Sequence, residues 1–430
     1  MYLPNNDTLK ESKLNPFQIK NSELHAENVA FSHIAATYQT PCYVYSKLAL
    51  TDAYAAFSKG FRHTNTLVCF AVKANPSLAI LNLFAGLGAG FDIVSGGELA
   101  RVLAAGGDPQ KIVFSGVGKT ADEMEQALNA GIFCFNVESA AELVRLDHVA
   151  GKLGKTAPVS LRVNPNVDAK THPYISTGLK NNKFGVPYED AINIYKLAAE
   201  LPNIAVQGVD CHIGSQITEL TPFLDAFDRV LALVDALAIE GIDIQHIDAG
   251  GGIGICYSDE TPPDFDDFAA AMLAKLGTRK IKLVLEPGRA LVGNAGVLLT
   301  KVEYLKHTET KNFAIVDAAM NDLMRPALYD AYHAIQAVKP KTGDTDIYEV
   351  VGPVCESGDF LGHDRALNIA QDDLLAIMSA GAYGMSMASN YNTRPRAAEI
   401  MVDASECHVI RLRETLSSLF ALESVLPKSY

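Results

Sequence analysis

Between residues 66 and 286 the chain sets out eight short apolar, β-branched or aromatic runs, separated by longer stretches rich in Ala, Leu and Glu. The runs at 66–74, 90–95, 112–116, 132–138, 159–164, 206–213, 244–249 and 281–286 predict strands. The segments at 97–105, 120–130, 139–150, 187–200, 221–240 and 264–276 predict helices. A helix between two strands carries the chain back to its starting edge, so consecutive strands run parallel and are apolar on both faces. Eight such units in about 220 residues suit a closed (β/α)8 barrel better than an open, doubly wound sheet. With 430 residues and 48% hydrophobic content, the chain can bury its cores without disulfide or metal staples. After about residue 295 the pattern changes. Runs at 296–305, 312–317, 347–352 and 398–403 are strand-like with turns between them, which predicts a second, mainly β domain. The first 40 residues do not resemble a barrel unit and are expected to add a strand to that domain.

A formal net charge of −14 opposes binding to a phosphate backbone, so nucleic-acid partners are not expected. Seven cysteines without a CxxC pair argue against a disulfide framework or zinc ribbon and suit a reducing compartment. Residues 1–20 lack the pattern of a signal peptide, and no apolar run reaches the ~20 residues needed to span a bilayer. The expectation is a soluble, cytoplasmic protein with no bound metal.

In a (β/α)8 barrel, chemistry sits at the C-terminal ends of the strands. Those ends carry Lys73, Asp92, Arg162, His212, Ser215, the run Asp248 to Gly252, and Glu286-Pro287-Gly288-Arg289. Lys73 ends an apolar run, where desolvation favours a neutral, nucleophilic amine able to form a Schiff base; a lysine snorkelling to solvent is the alternative. Gly250, Gly251 and Gly252 can bring backbone N–H groups close to an anion, or can simply make a turn. Glu286 can hold a proton on a pyridine-type nitrogen and Arg289 can bind an anionic group, unless the two merely pair with each other. His212 can stack on a planar ligand or serve as a hydrogen-bonded structural residue.

Two glycine patterns are decoys. Gly116-Val117-Gly118-Lys119-Thr120 lacks the earlier glycine of a phosphate-binding loop, because position 113 is Val. It reads instead as a strand-to-helix turn with Thr120 capping a helix before Glu123. Gly250 to Gly254 is not a dinucleotide fingerprint, since Ile255 stands where a further glycine is needed. In the C-terminal part, polar clusters occur at 324–329, 352–359 and 381–384. Cys355, between Val354 and Glu356 in a glycine-bounded segment, is the cysteine best suited to chemistry.

Taken together, AVKANP (71–76), DIVSGGEL (92–99), HPYISTGLKNNKFG (172–185), HIGSQI (212–217), DAGGGIG (248–254), EPGR (286–289), MRPALYDAYH (324–333), GPVCESGDFL (352–361) and GAYGMSMASNYNTRPR (381–396) resemble the diaminopimelate decarboxylases. These are enzymes of the alanine-racemase-like fold that use pyridoxal 5'-phosphate. The matching segments run in the family's order over about 330 residues. The resemblance implies a barrel over 44–295 and a mainly β domain, a β-sandwich or Greek-key barrel, from 1–43 and 296–430. It implies that Lys73 holds the cofactor as a Schiff base, that His212 stacks on the ring, and that Glu286 pairs with the ring nitrogen. Ser215, Gly251, Gly252, the backbone of Glu286, Pro287, Gly288 and Arg289, and Tyr383 would surround the phosphate. Arg289, Arg325, Tyr329, Glu356 and Tyr383 would bind substrate, and Cys355 would be the general acid. It further implies a homodimer in which Cys355 and Glu356 serve the neighbouring subunit's barrel. The implied reaction is decarboxylation of meso-diaminopimelate to L-lysine. The rival readings are an ornithine- or arginine-type decarboxylase and a non-catalytic pyridoxal-phosphate-binding protein.

Overall fold

A computed structural model describes residues 16–168 and 183–427, which form two units, Ala53–Gly293 and a second made of residues up to Asp52 together with Asn294 onward. The segment at 172–182, part of one family-like motif, lies outside the described residues.

In the first unit, the eight expected strands are present as β1 (Thr66–Ala71), β2 (Gly90–Ile93), β3 (Ile112–Phe114), β4 (Cys134–Val137), β5 (Ala157–Asn164), β6 (Ile204–Asp210), β7 (His246–Asp248) and β8 (Lys282–Leu285). Each pairs in parallel with the next, and β8 pairs with β1, so the sheet closes into a (β/α)8 barrel. β2, β3, β4 and β7 are buried at every position, which explains why they read as continuous apolar runs without alternation. After β2, β3 and β4 the same local sequence returns. Ser95, Thr120 and Ser139 each accept the backbone N–H of a glutamate three residues on, Glu98, Glu123 and Glu142, and so start the helices Gly96–Ala104, Ala121–Ala130 and Ala140–Lys152. These caps fix the points where the chain turns at the C-terminal rim. Lys119 of the rejected phosphate-loop pattern is buried. Its amine donates to Glu142 Oε1 and to the carbonyls of Gly116 and Asn136, all within 2.8 Å, so it is committed to the scaffold.

The second unit is mainly β. A nine-stranded mixed sheet is organised around the 12-residue strand Gly296–His307. The start of that strand pairs with Cys42–Ser46 and its end with Asn312–Val316, with a register shift between Val302 and Tyr304. The strand that the N-terminal region adds to this sheet is therefore Cys42–Ser46, which is also bonded to Ala398–Asp403. Val44 and Tyr45, expected in the barrel, belong to the β unit for this reason. Residues before it make a separate antiparallel sheet of Phe17–Lys20, Glu23–Ala26 and Val29–Ala30. Its first turn, Asn21-Ser22, has positive φ at both residues and so matches the twist of a two-residue hairpin. Phe17, Leu24, Phe31 and Ile34 join Val44, Leu299 and Ile400 in one core. Among the described residues, no helix is long and apolar enough to cross a membrane.

Candidate active site

β1 ends at Ala71 and the chain enters a single 3₁₀ turn, Val72–Ala74, which places Lys73 at the barrel rim. Its Nζ lies 2.5 Å from Oδ2 of Asp92, and Asp92 is the register partner of Ala71 on β2. The Asp92 carboxylate is fully buried, while the Lys73 side chain keeps 35% of its surface exposed. The amine is thus anchored from below by a buried charge and accessible from above.

At the ends of β6 and β7 the backbone is packed too closely for side chains. Gly250 and Gly252 have φ of 68° and 112°. A Cβ on Gly251 would lie 2.0 Å from the carbonyl oxygen of Glu286, and one on Gly252 would lie 2.4 Å from that of Gly214. Two of the three glycine N–H groups are already used, Gly250 by Asp248 Oδ1 at 2.9 Å and Gly251 by His212 Nδ1 at 3.2 Å. The N–H of Gly252 makes no hydrogen bond among the described residues. The glycine run is therefore a close-packed joint that orients His212 and leaves one donor for an anion. Because His212 accepts at Nδ1, its proton sits on Nε2. Burial, with the positive charges of Arg162 and Lys73, holds the ring well below the usual imidazole range, so it is neutral.

Beside this joint, Arg289 opens the short helix Arg289–Val292 and is buried. Its guanidinium donates to the hydroxyls of Tyr257 and, at 3.2 Å, Ser215. Pro287 and Gly288 seat this segment against β1: the Pro287 carbonyl accepts the Ala71 N–H at 3.1 Å, and a Cβ on Gly288 would meet Ala71 and Ala74. Glu286 is buried in a group of acids, with carboxylate oxygens of Asp210, Asp248 and Glu286 within 4.8 Å of one another. Burial, then Asp248, Asp92 and Asp210, raise Glu286 well above the ordinary carboxylate range. Arg162 offsets part of this charge, standing 3.2 Å from Glu138 and 3.8 Å from Asp210.

The remaining expected residues lie in the β unit. Arg325 is buried, with its guanidinium 2.8 Å from His333 Nε2, and Tyr329 ends the same helix, Arg325–Tyr329. Tyr383 is half-buried with φ of 55°. Cys355 and Glu356 are exposed on a loop framed by Asp359, whose two carboxylate oxygens accept the N–H groups of Met320 and Val354 at 2.6 and 2.8 Å. Asn392 fixes the tip by accepting the Cys355 N–H at 2.8 Å. The sequence marked Asp92 and Asp248 only as strand ends and gave Asn136 and Tyr257 no role. Tyr257 lies in a loop with no periodic signal.

The glycine joint supplies a direct test. Gly251→Ala should lower stability by about 1–3 kcal/mol and weaken cofactor retention, because the added methyl overlaps the backbone carbonyl of Glu286. Gly118→Ala, where a Cβ meets nothing within 4 Å, should stay within about 0.5 kcal/mol of wild type. Thermal melts and cofactor titrations of the two variants check this.

A parallel barrel with an accessible lysine amine, a histidine, a buried acid and an arginine bonded to a serine hydroxyl has the residue types of a pyridoxal-dependent decarboxylase barrel. The family model described as "Pyridoxal-dependent decarboxylase, pyridoxal binding domain" matches residues 49–293. Over 410 residues the chain is 59% identical to the diaminopimelate decarboxylase of Vibrio cholerae, covering 95% of this chain and 98% of that protein. It is 60% identical over 400 residues to that of Neisseria meningitidis serogroup B, covering 93% and 97%. Among solved structures, the diaminopimelate decarboxylase of M. jannaschii in complex with L-lysine is 40% identical with a TM-score of 0.92, covering 96% and 99% of the two chains. The chain belongs to the diaminopimelate decarboxylase family.

Proposed function

We infer that this chain decarboxylates meso-2,6-diaminopimelate to L-lysine and CO2 with pyridoxal 5'-phosphate. The observation that carries this reading is the amine of Lys73 held by buried Asp92 in the same barrel mouth as the buried acid Glu286. The donor set fits the cofactor. Lys73 offers an amine for its aldehyde, Gly252, Ser215 and Arg289 offer donors for its phosphate, and the acid group around Glu286 suits a cationic ring nitrogen. When bound, the cofactor supplies an electron-accepting ring that stabilises the charge left as CO2 departs.

The chain's own residues do the rest. Lys73 attaches the cofactor, and Asp92 keeps the amine aimed at the rim. His212, neutral and fixed by Gly251, presents a flat face for stacking. Glu286 holds the proton on the ring nitrogen, an electrostatic effect strengthened by the low dielectric of a buried site. Arg289, Arg325, Tyr329, Glu356 and Tyr383 bind the two ends of the substrate, and Cys355 Sγ returns a proton to Cα. Assay of meso-diaminopimelate against ornithine tests the reading. Turnover of ornithine at an equal or higher kcat/KM overturns it.

Arg325 supplies the charge for the distal carboxylate, which ornithine lacks. Arg325→Ala should therefore raise KM for meso-diaminopimelate by roughly 30-fold or more, about 2 kcal/mol or greater, while the Kd for pyridoxal 5'-phosphate stays near wild type. A loss of cofactor affinity without a change in KM would move Arg325 to the phosphate.

The working unit is a homodimer in a reducing cytoplasm, without nucleic-acid or membrane partners. The free thiols of all seven cysteines support the reducing compartment, and the exposure of Cys355 and Glu356 supports their serving a neighbouring subunit. Each site takes Lys73 from one subunit and Cys355 from the other. A one-to-one mixture of inactive Lys73→Ala and Cys355→Ala proteins should then recover about a quarter of wild-type activity, because half the dimers are mixed and each has one intact site. Confirmed subunit exchange without recovery would place the whole site within one chain.

A further inference from the structure

Glu286 belongs to a buried polar cluster joined by hydrogen bonds. Ser115 Oγ donates to Glu286 Oε1 at 3.5 Å, and Asn136 Nδ2 lies 3.2 Å from both Ser115 Oγ and Asp248 Oδ2. Asp248 and Glu286 complete the cluster, with carboxylate oxygens within 4.8 Å of each other. All four residues are buried, and they come from the ends of β3 and β8 and from β4 and β7. The other Asp248 oxygen, Oδ1, accepts the Gly250 N–H, so the carboxyl cannot swing away. Two buried carboxyls this close avoid repulsion when one of them carries a proton. Facing the pair are Lys73 after β1, Asp92 on β2, Arg162 on β5, Asp210 on β6 and the Cys69 thiol on β1. Burial and these acids raise Glu286 well above the ordinary carboxylate range, which favours Glu286 as the holder of that proton.

We propose that Asp248 is a positioning residue acting through Glu286, which takes the proton of Glu286 when the cationic ring nitrogen of pyridoxal 5'-phosphate comes to face that acid. The inference rests on the assignment of Glu286 to the ring nitrogen. In the transfer the O–H bond at Glu286 breaks, an O–H bond forms at Asp248, and the negative charge passes to Glu286. No proton leaves the site. Asp248 thus lets a buried acid become an anion without exporting charge through the barrel wall.

Infrared difference spectroscopy of the apoprotein titrated with pyridoxal 5'-phosphate tests this. In the wild type, the C=O band of the protonated carboxyl should shift on loading but keep its intensity. Asp248→Asn keeps an acceptor for Gly250 and leaves Glu286 buried and protonated, but it cannot accept the proton. Loading that variant should abolish the band and release about one proton per site into weakly buffered solution, read with a pH indicator. Loss of the band in the wild type overturns the proposal, and so does a wild-type spectrum in Asp248→Asn. The wild-type measurement decides the matter even if the variant does not fold. Normal turnover by Glu286→Gln would instead remove the assignment of Glu286 itself. An impaired Glu286→Gln alongside wild-type spectra for Asp248→Asn would remove only the proton transfer.

Discussion

Lys73→Ala should reduce decarboxylation by about three to four orders of magnitude and abolish covalent attachment of pyridoxal 5'-phosphate. The amine is the only lysine nitrogen that the described barrel rim holds against a buried carboxylate with its side chain still open to solvent: Lys119, the other buried-pair lysine, has a side chain only 1% exposed. The substitution also strips Asp92 of its partner, and an uncompensated buried carboxylate destabilises the fold. Lys73→Arg separates the two effects, since a guanidinium restores the ion pair but forms no Schiff base. Thermal stability should return toward wild type in Lys73→Arg while activity does not. Borohydride reduction followed by peptide mapping reads the attachment directly. Label on any other lysine sinks the assignment.

Glu286→Gln should leave the apoprotein nearly as stable as wild type and slow turnover by roughly 10²–10³-fold. The first half follows because burial and the neighbouring acids raise Glu286 well above the ordinary carboxylate range, so the apoprotein disfavours the charge that an amide lacks. An amide of the same shape can accept from Ser115 in place of Glu286 Oε1 and can donate toward the Asp248 carboxylate. The second half follows because an amide carries no charge to hold a proton on the ring nitrogen, and each 1.4 kcal/mol lost from the transition state costs about tenfold in rate. Melting curves and single-turnover rates test the halves separately. Turnover near wild type would reduce Glu286 to a packing residue.

The barrel was legible because each of its strands carries its own signal. β2, β3, β4 and β7 are buried on both faces, so continuous apolar runs such as 90–95 and 132–138 mark them, and Thr120 with Glu123 marks a helix start from four residues. The Asn21-Ser22 hairpin was missed because neither residue is the glycine that such a turn usually displays, though both adopt positive φ. The residue at which the barrel begins was missed for a different reason. Val44 and Tyr45 are as apolar as any barrel strand, and only their bonds to Gly296–His307 and Ala398–Asp403 assign them to the β unit.

The sequence by itself determined the residue types and their order: a lysine after β1, glycines after β7, Glu-Pro-Gly-Arg after β8, and a cysteine beside a glutamate in a glycine-bounded loop. These are local facts, written in spacing and in the identity of single side chains. It also carried the family resemblance that sequence identity now bears out. What only the tertiary structure decided is how those residues are wired. Lys73 meets Asp92 because parallel register sets Ala71 beside it, 21 positions away in sequence. The three glycines are needed for close backbone contact as well as for an anion, since Gly251 lies against Glu286 from the adjacent strand end. The Asp248 and Glu286 carboxylates lie within 4.8 Å because closure of the barrel brings their strands side by side, and burial there makes a lone carboxylate charge costly. Spacing along a chain records none of these contacts; they arise where distant strands become neighbours.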